Sequence, residues 1–211
     1  MSERISKAER EAIRAAIEAA ETRTSAEIFA VLAERSDDYR HVAAFHLALW
    51  IFAAAFTLAL WAQWQGFALP AVTLSAGGIA AFLSGYVLFN LFPSLAILLT
   101  PHRLQRERAH RNATHQFLAH GVDHTSGRSG VLVFVSLEER FAEVVVDSAI
   151  EAKLGREPWF EVVEVMVEHC REGRLAEAYL DAIPVIAGLL EDSFPPGSAE
   201  VNELDDKLVI I

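Results

Sequence analysis

The chain has little cysteine: one residue, Cys170, in 211. A lone thiol excludes an internal disulfide and any cysteine-based zinc cluster. Cys170 falls on the apolar side of a helical pattern, which marks a packed thiol rather than a nucleophile. Basic charge is also short, since 18 Lys and Arg against 29 Asp and Glu leave a net charge of −11. Such a surface cannot neutralise a track of phosphates, so nucleic acid is excluded as a partner class. The signatures of common chemistries are missing: no Gly-rich phosphate loop, no Gly-x-Ser-x-Gly and no His-Glu-x-x-His. The first forty residues are highly charged and hold no apolar h-region, so no cleavable signal peptide is expected.

Two stretches lack charge altogether. No Asp, Glu, Lys or Arg occurs from Val42 to Trp64, and none from Phe67 to Leu99. About 20 helical residues cross the hydrocarbon core, and both stretches are long enough. Two core helices this apolar would need a far larger protein to cover them. The reading is a transmembrane helical hairpin over 42–100, turning at Gln65-Gly66. The second stretch exceeds one crossing, so it either tilts or is broken at Pro93. Trp50, Trp61, Trp64 and Tyr86 suit interfacial or helix–helix positions. Gly77, Ala81 and Gly85 put small residues on one helix face, against either the first helix or a second copy of the chain. Arg23, Arg35 and Arg40 precede the hairpin, Arg103, Arg106, Arg108 and Arg111 follow it, and the turn has neither Lys nor Arg. The positive-inside rule then places both termini in the cytoplasm of a bacterium, with the hairpin in the inner (plasma) membrane and its arginines near anionic lipid headgroups.

The flanking parts read as a water-soluble fold. Ser6-Lys7-Ala8-Glu9 matches a capping box, and Ile13, Ile17 and Ala20 continue a helical period to about Glu21. Glu27 to Leu32 reads as a buried strand. After the hairpin, Leu104 to His120 reads as a helix ending at Gly121. Gly130 to Ser136 and Phe141 to Asp147 read as a β-hairpin around a charged turn. Its first strand is apolar throughout, so both its faces are expected to be covered. Helices follow at 148–154, from Pro158 to Gly173, and at 175–194 with a kink expected at Pro184. Pro195-Pro196-Gly197 then releases an acidic tail, 196–211.

One strand ahead of the membrane hairpin cannot be stable alone. The fold class is therefore α/β: a small central sheet sandwiched by helices, interrupted by a transmembrane helical hairpin. Residues 1–36 and 103–195 form the two parts of one domain, and strand one pairs with the later strands across the insertion.

Ser25-Ala26-Glu27-Ile28 after an N-terminal helix forms one part of a pattern. Gly130-Val131-Leu132-Val133-Phe134-Val135-Ser136 with the strand 141–147 forms another. Trp159, Met166, Arg171-Glu172-Gly173-Arg174 and Phe194-Pro195 complete it. Together these resemble the TPM domain family of thylakoid-lumen, photosystem-repair and receptor-modulator proteins, and Asn202-Glu203-Leu204 resembles the tail of bacterial members with membrane insertions. The resemblance covers 1–36 and 103–206. It implies an α/β sandwich and roles in membrane-protein assembly or repair, receptor accessory roles and, in some members, phosphatase activity.

The candidate site residues are few. Glu27 on strand one and Asp147 at the end of strand three could approach at one sheet end and hold a divalent cation. Otherwise they are edge or capping carboxylates. His102, His110, His115, His120 and His124 do not share a helix face: the five-residue steps turn a helix by about 140°, and Gly121 falls between His120 and His124. His46 is a polar residue just inside the first membrane helix. The functional expectation is a noncatalytic interaction or scaffold module that supports other membrane proteins. The alternative is a membrane-anchored metal-dependent phosphatase or hydrolase using Glu27 and Asp147.

Overall fold

The capping box closes at the first helix: the Ser6 N–H donates to the Glu9 carboxylate at 2.6 Å and the Glu9 N–H donates to Ser6 Oγ at 3.2 Å. Two otherwise orphaned amides are satisfied, and α1 runs Lys7–Glu21. A computed structural model describes residues 5–196 and 203–211. Met1 to Arg4 and residues 197–202, including Asn202 of the family pattern, lie outside the described residues. The elements that follow are β1 (Glu27–Ala33), α2 (Arg40–Trp64), α3 (Ala71–Leu91), α4 (Pro93–Leu98), α5 (His102–Ala119), β2 (Gly130–Ser136), β3 (Phe141–Val146), α6 (Ser148–Leu154), α7 (Pro158–Arg171), α8 (Leu175–Leu190) and β4 (Val209–Ile210). By contact density they divide into one unit of residues 1–36 and 106–211, and another of 37–105.

The first unit is built on a four-stranded sheet of order β3-β2-β1-β4. β1 and β2 run parallel, with Glu27 opposite Gly130 and Ala33 opposite Ser136. β2 and β3 are antiparallel around the turn 137–140. Alternation along the strands serves two cores. Ile28, Ala30, Leu32, Val131, Val133 and Val135 pack under α1, α7 and α8. Phe29, Val31, Leu132 and Phe134 pack with Ala113 and Phe117 of α5, Val122, Leu204 and Val209. All seven residues of β2 are buried, as a strand covered on both faces must be. Tyr179 of α8, fully buried, donates its hydroxyl to the Val31 carbonyl at 2.8 Å.

Three expectations change. The C-terminal stretch is not simply a released tail: Val209 and Ile210 pair parallel with Val31 and Leu32, and Leu208 is buried. The last helix stops at Leu190 rather than Phe194, with Pro184 inside it. Asp147 is not a strand residue but the N-cap of α6.

In the second unit the two apolar stretches form α2 and α3, each long and apolar enough to cross a membrane, with only 6% of either span's apolar window buried. Pro93 does break the second stretch, ending α3 at Leu91 and opening α4. A proline cannot donate the next helical hydrogen bond, and it suits a first helical position. α2 and α3 pack antiparallel with Leu47 over Gly85, where an added Cβ would lie 2.4 Å from its Cδ2, and with Ile51 beside Gly78 at 3.4 Å. The small-residue stripe is therefore split: Gly85 meets α2 within the chain, while Gly77 faces open space. Tyr39, Ala43, Phe89, Ala96 and Ile97 close a small core at the base of the pair.

Gly130 shows how tightly the first unit is packed. A Cβ there would lie 2.0 Å from the Val122 carbonyl oxygen, in the turn 122–124 that follows α5. Backbone at that distance cannot yield locally. Gly130→Ala is expected to destabilise the α/β unit by roughly 3 kcal/mol or more, read as a lowered midpoint of chemical unfolding. An unchanged midpoint would mean that the Val122 turn does not press on the strand.

Candidate functional site

Glu27 and Asp147 occupy the same end and the same face of the sheet, on either side of Gly130. Glu27 lies opposite Gly130, and the Asp147 N–H donates to the Gly130 carbonyl at 2.9 Å. Adjacent strands are spaced by about 4.8 Å, so two strand steps set their Cα atoms about 10 Å apart. The gap above Gly130 is filled by the Val122 main chain. Each carboxylate has its own partners. Asp147 Oδ1 accepts from the Ser148 N–H at 2.5 Å and the Ser148 hydroxyl at 2.8 Å. Its Oδ2 is buried without a hydrogen-bond partner among the described residues, with Arg128 Nε 3.5 Å away. Arg128 holds a left-handed backbone at φ 50°. The structure therefore brings the two candidates to one sheet end without bringing them together.

Glu27 instead joins a carboxylate group built with the C-terminal segment. Its Oε2 accepts the Leu204 N–H at 3.3 Å, and Glu203 in turn accepts the Ser126 N–H at 3.0 Å. On the other side Glu21, at the end of α1, accepts the Ile28 N–H at 2.9 Å and shares a hydrogen bond with the Asp206 carboxyl. Burial, then the charges of Glu27 and Asp206, push Glu21 up to about 8. Burial, then Glu203 and Asp206, also raise Glu27. Crowded, partly buried carboxyl groups favour the protonated form, which is why Glu21 holds its proton more tightly than a free carboxyl. Among the described residues no group of three or more His, Cys, Asp or Glu is arranged to hold a metal ion.

A second buried carboxylate escaped sequence reasoning. Glu139, 7% exposed, accepts the Ser136 hydroxyl at 2.5 Å and the Ser36 N–H at 3.0 Å. Ser36 Oγ lies 2.7 Å from Ser136 Oγ. The group ties the chain leaving β1 to the β2–β3 turn. The only signal in the sequence was a Ser followed three residues later by a Glu, which reads as an ordinary polar turn.

The remaining candidates are dispersed. His110 bonds Glu143 at 2.8 Å, His124 bonds Asp123 at 2.8 Å, and His120 packs on Phe29 with ring centroids 4.6 Å apart. His46 Nδ1 lies 2.9 Å from the Val42 carbonyl of its own helix. Burial pushes the Cys170 thiol up to about 11, so it is not a thiolate nucleophile.

The Glu21 corner sets a pH dependence. In the unfolded chain Glu21 ionises near 4.5, in the folded chain near 8, so the folded state binds the extra proton between those values. Stability from this site is full below about 4.5 and falls as pH rises to about 8. The thermal midpoint of the wild type should therefore drop across that window more steeply than that of Glu21→Gln, which keeps hydrogen bonds without the proton. Parallel pH profiles of the two proteins would show that Glu21 does not carry the effect.

Residues 94–189 match the family model of the TPM domain. No curated protein matches the chain. Among solved structures, the NMR structure of the BA42 protein from the psychrophilic bacterium Bizionia argentinensis is similar in fold, with a TM-score of 0.61 at 16% identity, covering 100% of this chain and 97% of that one. The matched span takes in β2, β3 and the helices α5 to α7 with most of α8, while α1, β1 and β4 lie outside it. Over residues 94–189 the α/β unit of the chain is thus similar to the TPM domain family.

Proposed function

We propose that this protein is a membrane-anchored interaction module. The hairpin of α2 and α3 lies in the bacterial inner membrane, and the TPM domain works at the cytoplasmic surface, where it supports the assembly or maintenance of other membrane proteins. The observation that carries this reading is the surface of the hairpin. Trp50, Phe52 and Val72 are 70%, 76% and 79% exposed, a state that water does not tolerate over so many side chains and lipid does. The arginines beside the two apolar stretches and the uncharged turn support the orientation. The duties of the two candidate carboxylates support a noncatalytic role, since Asp147 caps α6 and Glu27 holds the C-terminal segment.

Two measurements test this. A label on a cysteine introduced at Gln65 should react from outside the cell, and reaction only from the cytoplasm would overturn the orientation. Crosslinking in native membranes should capture other membrane proteins. Metal-dependent hydrolysis of a phosphate ester that is abolished in Glu27→Gln with Asp147→Asn would replace the scaffold reading with the hydrolase.

A further inference from the structure

The two edges of the sheet are treated differently. Beside β1, the chain's own C-terminal residues add β4, with the Ile211 N–H donating to the Leu32 carbonyl and the Glu34 N–H to the Ile211 carbonyl. Beside β3 no strand is paired among the described residues. The bond from Asp147 N–H to Gly130 makes these two a hydrogen-bonded pair, and antiparallel alternation extends this to Val145, Glu143 and Phe141. Ala142, Val144 and Val146 therefore aim their N–H and C=O groups away from β2. No described residue bonds these groups. β3 also lacks the usual guards of an edge strand: its sequence FAEVVV has no Pro, no Lys and one charge.

The surroundings of this edge select what can pair with it. α7 packs on β3, with α8 beside it and α1 beyond. His169 faces α8 through a 2.8 Å contact with Asp181, so the opposite flank of α7 is turned away from α8, on the helix that packs on β3. That flank carries Phe160, 69% exposed, then Glu164, with Glu161 and Glu168 next around the helix. The three glutamates are exposed and form no ion pair among the described residues. On the other side of β3, Glu143 is shared with His110. A second copy of this acidic chain would set these glutamates against one another. A cationic strand would neutralise them.

We propose that the open edge of β3 is a docking site for an extended segment of a partner protein, with Lys or Arg at alternate positions and apolar residues between them, added as a fifth strand. This deepens the interaction reading above and rests on it. Main-chain bonds to Ala142, Val144 and Val146 would hold the segment, Phe160 would cover its apolar side, and the α7 glutamates would select its cations.

The test uses the full chain in detergent and a fluorescent synthetic peptide of alternating lysine and valine. The wild type should bind it, and binding should weaken with added salt. Val144→Pro deletes an N–H that the β2–β3 ladder does not use, so it should weaken binding roughly tenfold with the fold intact by circular dichroism. Glu161→Gln with Glu164→Gln, a surface change that leaves the ladder untouched, should weaken binding several-fold. Equal binding of the peptide by Val144→Pro and wild type overturns the proposal. So does equal binding of a peptide with glutamate in place of lysine, or self-association of the chain that Val144→Pro abolishes. Membrane crosslinking separates the two readings. Capture unchanged in Val144→Pro overturns the edge site alone, whereas a wild type that captures nothing overturns the interaction reading itself.

Discussion

Six of the seven residues of β1 are buried, and each brings a backbone N–H and C=O that water cannot reach. Only another strand satisfies such a row, and among the described residues no second strand lies on the N-terminal side of the apolar stretches. β2, which begins at Gly130, supplies it in parallel register. That pairing makes the α/β unit discontinuous and turns the helical pair into an insertion. It also fixes the rest of the frame, because a parallel pair buried between two cores needs helices on both faces, and α1, α7 and α8 on one side and α5 on the other provide them.

The same pairing explains why the acidic side chains have structural duties. Strand ends are where backbone groups run out of partners, and carboxylates are the strongest uncomplicated acceptors. Glu139 closes the carboxyl end of β1 and β2 through Ser36 and Ser136, while Asp147 and Glu27 serve the opposite end. Glu27 and Glu21 do so beside Asp206, and the cost of crowding like charges is met by a retained proton. A carboxylate at a sheet end is therefore not by itself a sign of chemistry here.

Much of the frame was legible because local rules and global fold agree. The capping box at Ser6, the stop at Gly155, the buried strand 130–136 and the apolar helices follow from residue types at fixed spacing. The break at Pro93 was foreseeable as one of two outcomes, since proline forbids the continuing bond and leaves only its consequence open. The stripe of Gly77, Ala81 and Gly85 shows the limit: four-residue spacing places residues on a face but does not say which neighbour fills it, and Gly78 rather than Gly77 meets α2.

By itself the sequence determined where the chain is apolar on all sides, where it alternates, where helices start and stop, and that a strand before the hairpin needs one after it. These depend on covalent neighbours and on the solvent each stretch prefers. The packing of distant segments set the rest: Glu27 and Asp147 stand apart across Gly130, Glu139 holds the exit of β1, and Val209 and Ile210 return to cover one edge while β3 pairs with no further strand among the described residues. Each of those turns on a distance between residues far apart in the chain, and such distances are set by how strands register and which backbone fills the space between them.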